Sequence, residues 1–523
     1  MTPNSTPGPP AVNKWLVTIA VMAGTFMEII DTTIVNVALP QMSGSLSAGV
    51  DEATWVLTSY LVSNAIVLPI TGWLSALFGR KRFLMICLAL FTGTSVLCGS
   101  APNLGSLIVF RIFQGIGGGA LQPMSQAILL ETFPVQERGM AMAIWGIGVV
   151  NAPIVGPLLG GWITDNLSWR WAFYINLPVG LLSLVMTAFF IFDPEYVKQQ
   201  RAGSIDYIGL GLLCVGLGAL QIVLDKGERE DWFSSAFILR LAIISAVALI
   251  LLIYWELKTK HPVVDLRLFK ERNYSAGVTI MFFFGFVLYG SIVLLPLFLQ
   301  TLLGYDATLA GWALAYGGLG SLMILPIVGR LTQVMDGRWL IGIGLGINAL
   351  AVYLMSNYNT QIDFATAWWP RFIQGFGLGT TFVSLTTLTM SRISQEKMGN
   401  ATGIFNLMRN LGGSFGIATA TTLLSRRAQL HQTHLVERLT PFDLNFQVWH
   451  QRIGEVLGLG PAWHWWETRQ PLGALYLEVQ RQAQMLAFCD NYWFFTLLTL
   501  SLIPLVLLMR KSPAPGGPAP VGH

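Results

Sequence analysis

Charged side chains are scarce in this sequence. Only 11% of its 523 residues are Asp, Glu, Lys or Arg, whereas 53% are hydrophobic. A soluble protein of this length carries roughly a quarter of its residues charged. Apolar runs of about 20 residues, long enough to cross a hydrocarbon core as helices, recur from end to end. The deficit of charge therefore excludes a large soluble protein and predicts an all-α integral membrane protein.

Cysteine is sparse as well. The four cysteines, Cys87, Cys98, Cys214 and Cys489, fall within or at the edge of apolar runs, which indicates neither a disulfide framework nor a metal cluster. We expect no metal and no cofactor. The first apolar run is too long for a cleavable signal peptide and carries acids at its centre. The net charge of +4 does not indicate nucleic acid as a partner.

The apolar runs predict fourteen transmembrane helices. They lie near residues 14–38, 54–74, 83–100, 106–131, 139–163, 172–192, 204–224, 237–257, 275–300, 309–329, 338–357, 365–391, 400–424 and 487–508. Lys and Arg are concentrated in the short loops on the side of both termini, which predicts that both termini are cytoplasmic.

An internal repeat divides the chain. "RIFQGIGGG" at 111–119 and "RFIQGFGLG" at 371–379 align without a gap at an offset of 260 residues. Two six-helix halves with two inserted helices account for fourteen spans. Parallel repeats of this kind are typical of major facilitator transporters, whose substrate site lies between the halves. The predicted segments are a cytoplasmic tail (1–13), an N-terminal six-helix bundle (14–192), two inserted helices (204–257), a basic cytoplasmic linker (258–274), a C-terminal six-helix bundle (275–508) that contains a long periplasmic loop (426–486), and a C-terminal tail (509–523).

Two carboxylates lie in the first predicted helix, within "MEIIDTTIVNVALP" at 27–40. Glu28 and Asp31 share one helical face, with Thr32 beside them. A charged carboxylate at the bilayer centre costs at least about 2.5 kcal/mol, so it must face a cavity or a partner. Burial and a second acid nearby favour the protonated form, which allows a proton to be loaded and released near neutral pH. Proton coupling is the leading interpretation, and a structural salt bridge to an arginine of another span is the alternative.

The stretch "IDTTIVNVALP" at 30–40 resembles the first-span signature of the fourteen-span drug/proton antiporters of the major facilitator superfamily. Asp31, Asn36 and Pro40 stand at the signature positions, whereas Glu28 is not part of the signature. The resemblance implies a major facilitator fold and a transporter, not an enzyme, that is driven by the proton gradient.

A second polar stripe begins at Arg111 in the fourth span. Gln114, Gln122, Ser125 and Gln126 follow it on one side of the helix. An arginine inside a span needs an acid or a set of carbonyls, and the natural acid is on the first span. "RIFQGIGGG" resembles the superfamily's fourth-span motif, whose arginine is implicated in proton transfer. A helix-packing arginine is the alternative.

"APIVGPLLGG" at 152–161 resembles the antiporter motif of the fifth span, which is associated with export. Gly156, Gly160 and Gly161 allow close helix approach, and Pro157 removes a backbone donor and bends the span. The pattern predicts a tightly packed interface and not a ligand site.

"GWLSALFGRKR" at 72–82 resembles the superfamily's loop between the second and third spans, with Gly72, Gly79, Arg80 and Lys81 at matching positions. Ala76 replaces the aspartate of that motif, which puts its charge relay in doubt. The basic cluster is then interpreted as a signal for orientation alone.

"LQIVLDKGEREDWFSS" at 220–235 resembles the corresponding stretch of EmrB-like pumps of the Gram-negative inner membrane. That resemblance implies a periplasmic membrane-fusion adaptor of the EmrA type and, through it, a TolC-type outer-membrane channel. The predicted loop 426–486 suits such a partner because it is long and rich in Trp (Trp449, Trp463, Trp465 and Trp466). A membrane-interface anchor is the alternative, and His431 and His434 alone make a poor metal site.

The leading function is therefore a proton-coupled exporter of small hydrophobic drugs. An exporter dedicated to one metabolite, lipid or siderophore is the alternative, whereas a membrane transferase or a passive channel fits the twofold repeat poorly. The residues expected to line the substrate cavity are polar side chains of both halves, namely Thr32, Asn36, Gln114, Gln122, Ser125, Gln126, Arg371, Gln374 and Arg409.

Overall fold

The computed structural model describes residues 13–193, 206–260, 262–437, 439–440, 442–457 and 470–511, and this part of the chain contains helices and no strand. The long helices are α1 (Lys14–Ser45), α2 (Trp55–Phe78), α3 (Arg80–Gly99), α4 (Leu104–Gly118), α5 (Leu121–Thr132), α6 (Arg138–Asn166), α7 (Asn176–Phe190), α8 (Tyr207–Lys226), α9 (Ala236–Lys258), α10 (Arg272–Thr301), α11 (Ala307–Leu331), α12 (Gly337–Met355), α13 (Phe364–Met390), α14 (Met398–Glu437), α15 (Leu444–Val456) and α16 (Gln470–Leu507). Short turns of helix lie at Val50–Ala53, Val135–Glu137, Trp171–Tyr174, Trp232–Ser234, Leu266–Lys270 and Gln395–Lys397.

Eleven helices in the described part are long and apolar enough to cross a membrane, when α4 is counted with α5, and α7 with Trp171–Tyr174. The prediction of an all-α membrane fold is confirmed. Three long helices, α6, α13 and α14, are not among the eleven. Buried polar side chains such as Thr381 of α13 and Asn406 of α14 explain why hydropathy alone understates these last two helices. The count of fourteen spans stays a prediction.

Acidic residues fix where several helices begin. The side chains of Asp206, Glu271, Asp306, Asp336 and Asp363 accept a hydrogen bond from a backbone N–H in the first turn of α8, α10, α11, α12 and α13. A carboxylate at this position satisfies an orphan donor and complements the helix dipole. Five of the acids that lie outside the spans therefore serve as helix caps.

The two halves meet near the face that holds both ends of the described chain. Lys14 pairs with Glu137 at this face, and Asn273 donates to the backbone carbonyl of Arg510 (3.0 Å). We call it the terminal face and the opposite one the far face. A Cβ on Gly72 of α2 would lie 2.6 Å from the Cα of Asn400 at the start of α14. Real Cβ atoms do not come so close, so the two halves are in backbone contact here.

The inserted helix α8 fills a gap between the halves nearer the far face. From the terminal contact, α2 and α14 diverge, and α8 packs against both. Gln221 of α8 donates to Ser414 of α14 (3.0 Å), while Asp225 accepts a hydrogen bond from Thr58 of α2. The turn that follows α8 is strained, because Asp231 has a left-handed backbone (φ 54°) without being glycine. The inserted pair is thus tied to both halves.

The segment 426–486, predicted as a loop, is largely helical where the structure describes it. Helix α14 continues to Glu437, α15 covers Leu444–Val456, and α16 begins at Gln470. His431 and Arg427 of α14 contact Asp490 of α16 at 2.8 and 3.4 Å, so the two helices are paired beyond the bundle. The sequence did not predict these helices, because polar helices carry no apolar signal, and the assignment of 426–486 as a long periplasmic connection stays a prediction. Trp449 is exposed, and the other three tryptophans lie outside the described residues.

Candidate functional site

Arg111 and Asp31 form a fully buried ion pair inside the first half. Nη1 of Arg111 on α4 donates to Oδ2 of Asp31 on α1 at 2.6 Å, and neither side chain is exposed to solvent. The guanidinium also donates to the backbone carbonyl of Val56 (3.1 Å) and lies over the ring of Tyr60 at 4.2 Å. The arginine of the fourth span is therefore held by an acid of the first span, as the polar stripes indicate.

Asp31 accepts two more hydrogen bonds through its other oxygen. Gln114 donates to Oδ1 at 3.0 Å and Asn176 of α7 donates to it at 2.7 Å. Asn176 in turn lies 3.0 Å from the hydroxyl of Ser95. Sequence reasoning missed Asn176, although an asparagine inside an otherwise apolar span is the signal that could have found it.

Glu28 lies one turn from Asp31 but has a separate set of partners. Tyr60 and Asn64 of α2 donate to its Oε1 at 3.0 and 3.1 Å, and Gln122 of α5 donates to its Oε2 at 2.6 Å. The side chain is buried, with 3% of its surface exposed. The carboxyl is thus satisfied by neutral donors alone, whereas Asp31 is paired with a cation.

Gln122 connects this acid to the other half of the protein. Its Oε1 accepts a hydrogen bond from Nη2 of Arg409 on α14, while its Nε2 donates to Glu28. Arg409 also lies over the ring of Trp145 at 5.7 Å. One turn along the same two helices, Asn406 donates to Gln126 at 2.6 Å. Two glutamines of α5 therefore join the halves, and only Gln122 touches an acid.

The second half repeats the arginine site without the acid. Nη1 of Arg371 faces the hydroxyl of Ser291 at 3.3 Å and also bonds Gln374. Gln374 donates to Ser291 (3.2 Å) and to Asn348 (3.1 Å). In the described part of the chain no carboxylate lies within ion-pair distance of Arg371, and its Nε has no hydrogen-bond partner. A buried guanidinium is left without a counter-charge.

A cavity lies between α6 of the first half and α10, α11, α13 and α14 of the second. The space open to a water-sized sphere inside it is about 40 Å³, and about 660 Å³ is counted when all the space at its open mouth is included. Arg371 and Arg409 reach its wall, and the rest of the lining is mainly apolar, with Val149, Leu288 and Phe382 among the contacts. A compartment of this kind suits an apolar molecule with one polar or anionic end.

The other residues predicted for the cavity lie elsewhere. Asn36 is exposed on α1, and Thr32 donates to the backbone carbonyl of Ile29 at 2.7 Å. Ser125 accepts hydrogen bonds from Thr25 and from the indole of Trp145, both at 2.8 Å. In this conformation Arg371 and Arg409 are the two predicted residues that reach the cavity wall.

The glycine motif of the fifth span packs α6 against α1, but not at every position. A Cβ on Gly156 would lie 2.6 Å from the Cβ of Thr33, and one on Gly160 would lie 3.2 Å from the Cα of Ile34. A Cβ on Gly161 would meet open space. The prediction of close packing at Gly161 is therefore corrected, because this residue points away from α1. Nothing is described for the Pro157 side chain.

The loop motif between α2 and α3 does more than orient the chain. Arg80 is buried, forms an ion pair with Glu131, and donates across to the backbone carbonyl of Gln395 in the second half (3.5 Å). Gly79 adopts a left-handed backbone (φ 83°) that a side chain would strain. Lys81 bonds the backbone carbonyl of Ala188 at 2.5 Å. The interpretation of this cluster as an orientation signal alone is incomplete. Glu131 provides a carboxylate for Arg80, whereas Ala76, at the aspartate position of the motif, cannot.

Comparisons with known proteins agree with this architecture. The sequence profile of the Major Facilitator Superfamily matches residues 21–417. The chain is 37% identical over 503 residues to the multidrug export protein EmrB of Escherichia coli K12, with 96% of each chain covered. It is 37% identical over 506 residues to the fatty acid resistance protein FarB of Neisseria gonorrhoeae, which covers 96% of this chain and 97% of that protein. The crystal structure of the human organic anion transporter MFSD10 shares the fold, with a TM-score of 0.59 at 13% identity over 94% of this chain and all of that one.

Proposed function

The chain belongs to the Major Facilitator Superfamily, and we propose that it is a proton-coupled multidrug efflux antiporter that works by alternating access. Its likeness to EmrB over nearly the whole chain supports export of several compounds. One observation carries the coupling to protons: two buried acids, Asp31 and Glu28, lie in one half beside the contact between the halves. Intramembrane acids in such a place mark proton pathways.

The Asp31 site suits proton exchange because a proton would compete with an existing partner. Arg111, Gln114 and Asn176 all donate to the carboxylate, so a proton on Asp31 removes the negative charge that these bonds depend on and weakens the ion pair with Arg111. Arg111 then loses the charge that holds it, and α4 can shift relative to α1. A structural salt bridge would also hold Arg111, but it would leave transport independent of the proton gradient.

The cavity supports amphipathic substrates with an acidic end. Its lining is mainly apolar, with Arg371, Arg409 and Tyr289 as its polar side chains, and Arg371 has no carboxylate partner among the described residues. A bound anion would supply that counter-charge. FarB, named for resistance to fatty acids, is a relative at the same level of identity. An exporter dedicated to one lipid or metabolite of this type is the second candidate.

We place the protein in a bacterial inner membrane with both termini in the cytoplasm, so that the terminal face is cytoplasmic and the far face periplasmic. The concentration of basic residues at the terminal face supports this orientation. Helices α14 and α16 are paired beyond the bundle at the far face, through Asp490, and α15 lies between them in sequence. Such a projection suits a periplasmic adaptor and, through it, an outer-membrane channel.

Reconstitution into vesicles tests the antiport. Purified protein is given a hydrophobic weak acid or an uncharged dye on one side, and proton release is measured together with uptake of the compound. Antiport predicts that accumulation of the compound against its own gradient requires a proton gradient, and that protons move in the opposite direction to the compound. Movement that ignores the gradient would overturn the proposal in favour of a passive pathway.

A further inference from the structure

Gln122 is placed to pass the protonation state of Glu28 to the contact between the halves. Its amide has one neighbour that only accepts hydrogen bonds and one that only donates them: the Glu28 carboxylate and the Arg409 guanidinium. One orientation of the amide satisfies both, with Nε2 toward Glu28 and Oε1 toward Arg409. The charge on Glu28 therefore fixes which end of Gln122 faces the second half.

A proton on Glu28 changes that orientation. Oε1 of Glu28 already receives two donors, from Tyr60 and Asn64, whereas Oε2 receives Gln122 alone. A proton taken from water onto Oε2 makes this oxygen a donor, which now needs the Gln122 carbonyl. The amide turns over, its NH₂ group faces Arg409, and two donors oppose each other. No covalent bond other than the new O–H is formed.

We propose that Gln122 is the positioning residue that couples the protonation of Glu28 to separation of the two halves at the terminal face. This inference rests on the proposed antiport. The other charged or titratable groups near Glu28 are Asp31 on its own helix, Tyr60 on α2 and Arg409 on α14. Arg111 reaches Asp31 and Tyr60 but does not contact Glu28. Of the two side-chain contacts between α5 and α14 described above, this is the one that touches an acid.

A matched control lies one turn away. Gln126 accepts a hydrogen bond from Asn406 at 2.6 Å, so it also joins α5 to α14, and no acid contacts it among the described residues. Gln122→Leu and Gln126→Leu each remove one hydrogen bond between the halves. Gln122→Asn keeps the amide but is one methylene too short to reach both neighbours. Together the three variants distinguish two effects: the loss of a hydrogen bond between the halves, and the loss of its dependence on the charge of Glu28.

The test measures the distance between spin labels on the terminal face as a function of pH, in full-length protein without a drug. Labels replace Gln136, in the turn before α6, and Gln333, after α11; both are exposed. The four native cysteines are first changed to alanine. We expect the wild-type distance to lengthen as the pH falls. Gln122→Leu and Gln122→Asn should abolish that dependence, and Gln126→Leu should keep it with an unchanged midpoint.

Three results would overturn the proposal. They are a wild-type distance that ignores pH, Gln122 variants that keep the wild-type profile, and a Gln126→Leu variant that loses the profile equally. Vesicle exchange by the wild-type protein is measured separately. If exchange occurs while the distances ignore pH, the antiport stands and the role of Gln122 fails. If exchange is absent, the antiport fails whatever the distances show.

Discussion

Asp31 and Ser291 occupy equivalent positions in the two halves, 260 residues apart, and each faces the arginine of its own repeat. Arg111 donates to the Asp31 carboxylate at 2.6 Å, and Arg371 faces the Ser291 hydroxyl at 3.3 Å. A glutamine three residues after each arginine donates to the same partner. The geometry of the repeat is conserved in both halves, but only one half keeps an acid there.

Asp31→Asn should insert and fold but lose proton-coupled transport. The amide has the shape of the carboxylate and cannot titrate, so no proton is exchanged for drug. Vesicle assays at matched protein density measure the loss, and facilitated flow down the drug gradient should remain. Full gradient-driven efflux by this variant would show that the Asp31–Arg111 pair is structural.

Arg111→Ala should damage coupling more severely than Arg371→Ala. Removing one partner of a buried ion pair costs about 3–5 kcal/mol, because the remaining charge is left uncompensated. Removal of the Arg371 side chain leaves only the hydroxyl of Ser291 and the amides of Gln374 and Asn348, and these groups already bond each other. Thermal unfolding in detergent and proton-driven uptake are compared for both variants, and equal defects would contradict the asymmetry.

Arg371→Ala should weaken transport of acidic amphipathic compounds more than that of uncharged ones. The guanidinium is a buried charge at the cavity wall, and no carboxylate lies within ion-pair distance of it among the described residues. Arg371→Lys keeps the charge and serves as the matched control. Competition between a fatty acid and an uncharged dye of similar size gives the selectivity, and a parallel decrease for both would remove the arginine from substrate recognition.

Gly156→Ala should impair transport, whereas Gly161→Ala should not. The new methyl at residue 156 would overlap Thr33 of α1, and overpacking of this kind costs about 1–3 kcal/mol. A methyl at residue 161 meets open space in the described structure. Expression level, melting temperature and drug uptake are measured side by side, and similar behaviour of the two variants would contradict the packing described for α1 and α6.

Replacing 438–469 by a short Gly/Ser linker should leave drug/proton exchange in vesicles intact. The linker retains the pairing of α14 with α16 through Asp490. Resistance in intact Gram-negative cells should be lost if this segment binds a periplasmic adaptor. Collapse of vesicle exchange would instead mean that the segment gates the cavity, and full resistance would remove it from the partner contact.

The sequence was sufficient for the membrane class, the repeat and the Asp31–Arg111 pair, because each rests on residue types that lipid makes costly. It was insufficient for contacts between helices that are distant along the chain. Glu131 of α5 pairs with Arg80 in place of the aspartate that the loop motif lacks, and Asn176 of α7 donates to Asp31. Both contacts join residues far apart along the chain, and no regular spacing in the sequence indicates them. The outer helix α15 and the end of α14 were missed for a different reason, since both are too polar to carry the signal of a membrane span.

The packing of α8 between α2 and α14 breaks the twofold symmetry of the halves. The opposite seam, between α6 and α11, holds no inserted helix in the described part of the chain. These two helices touch at the terminal face, where a Cβ on Gly329 would lie 3.2 Å from the Cα of Met140, and they border the cavity through Val150 and Leu314. A molecule in the cavity therefore lies at the seam that no described inserted helix covers.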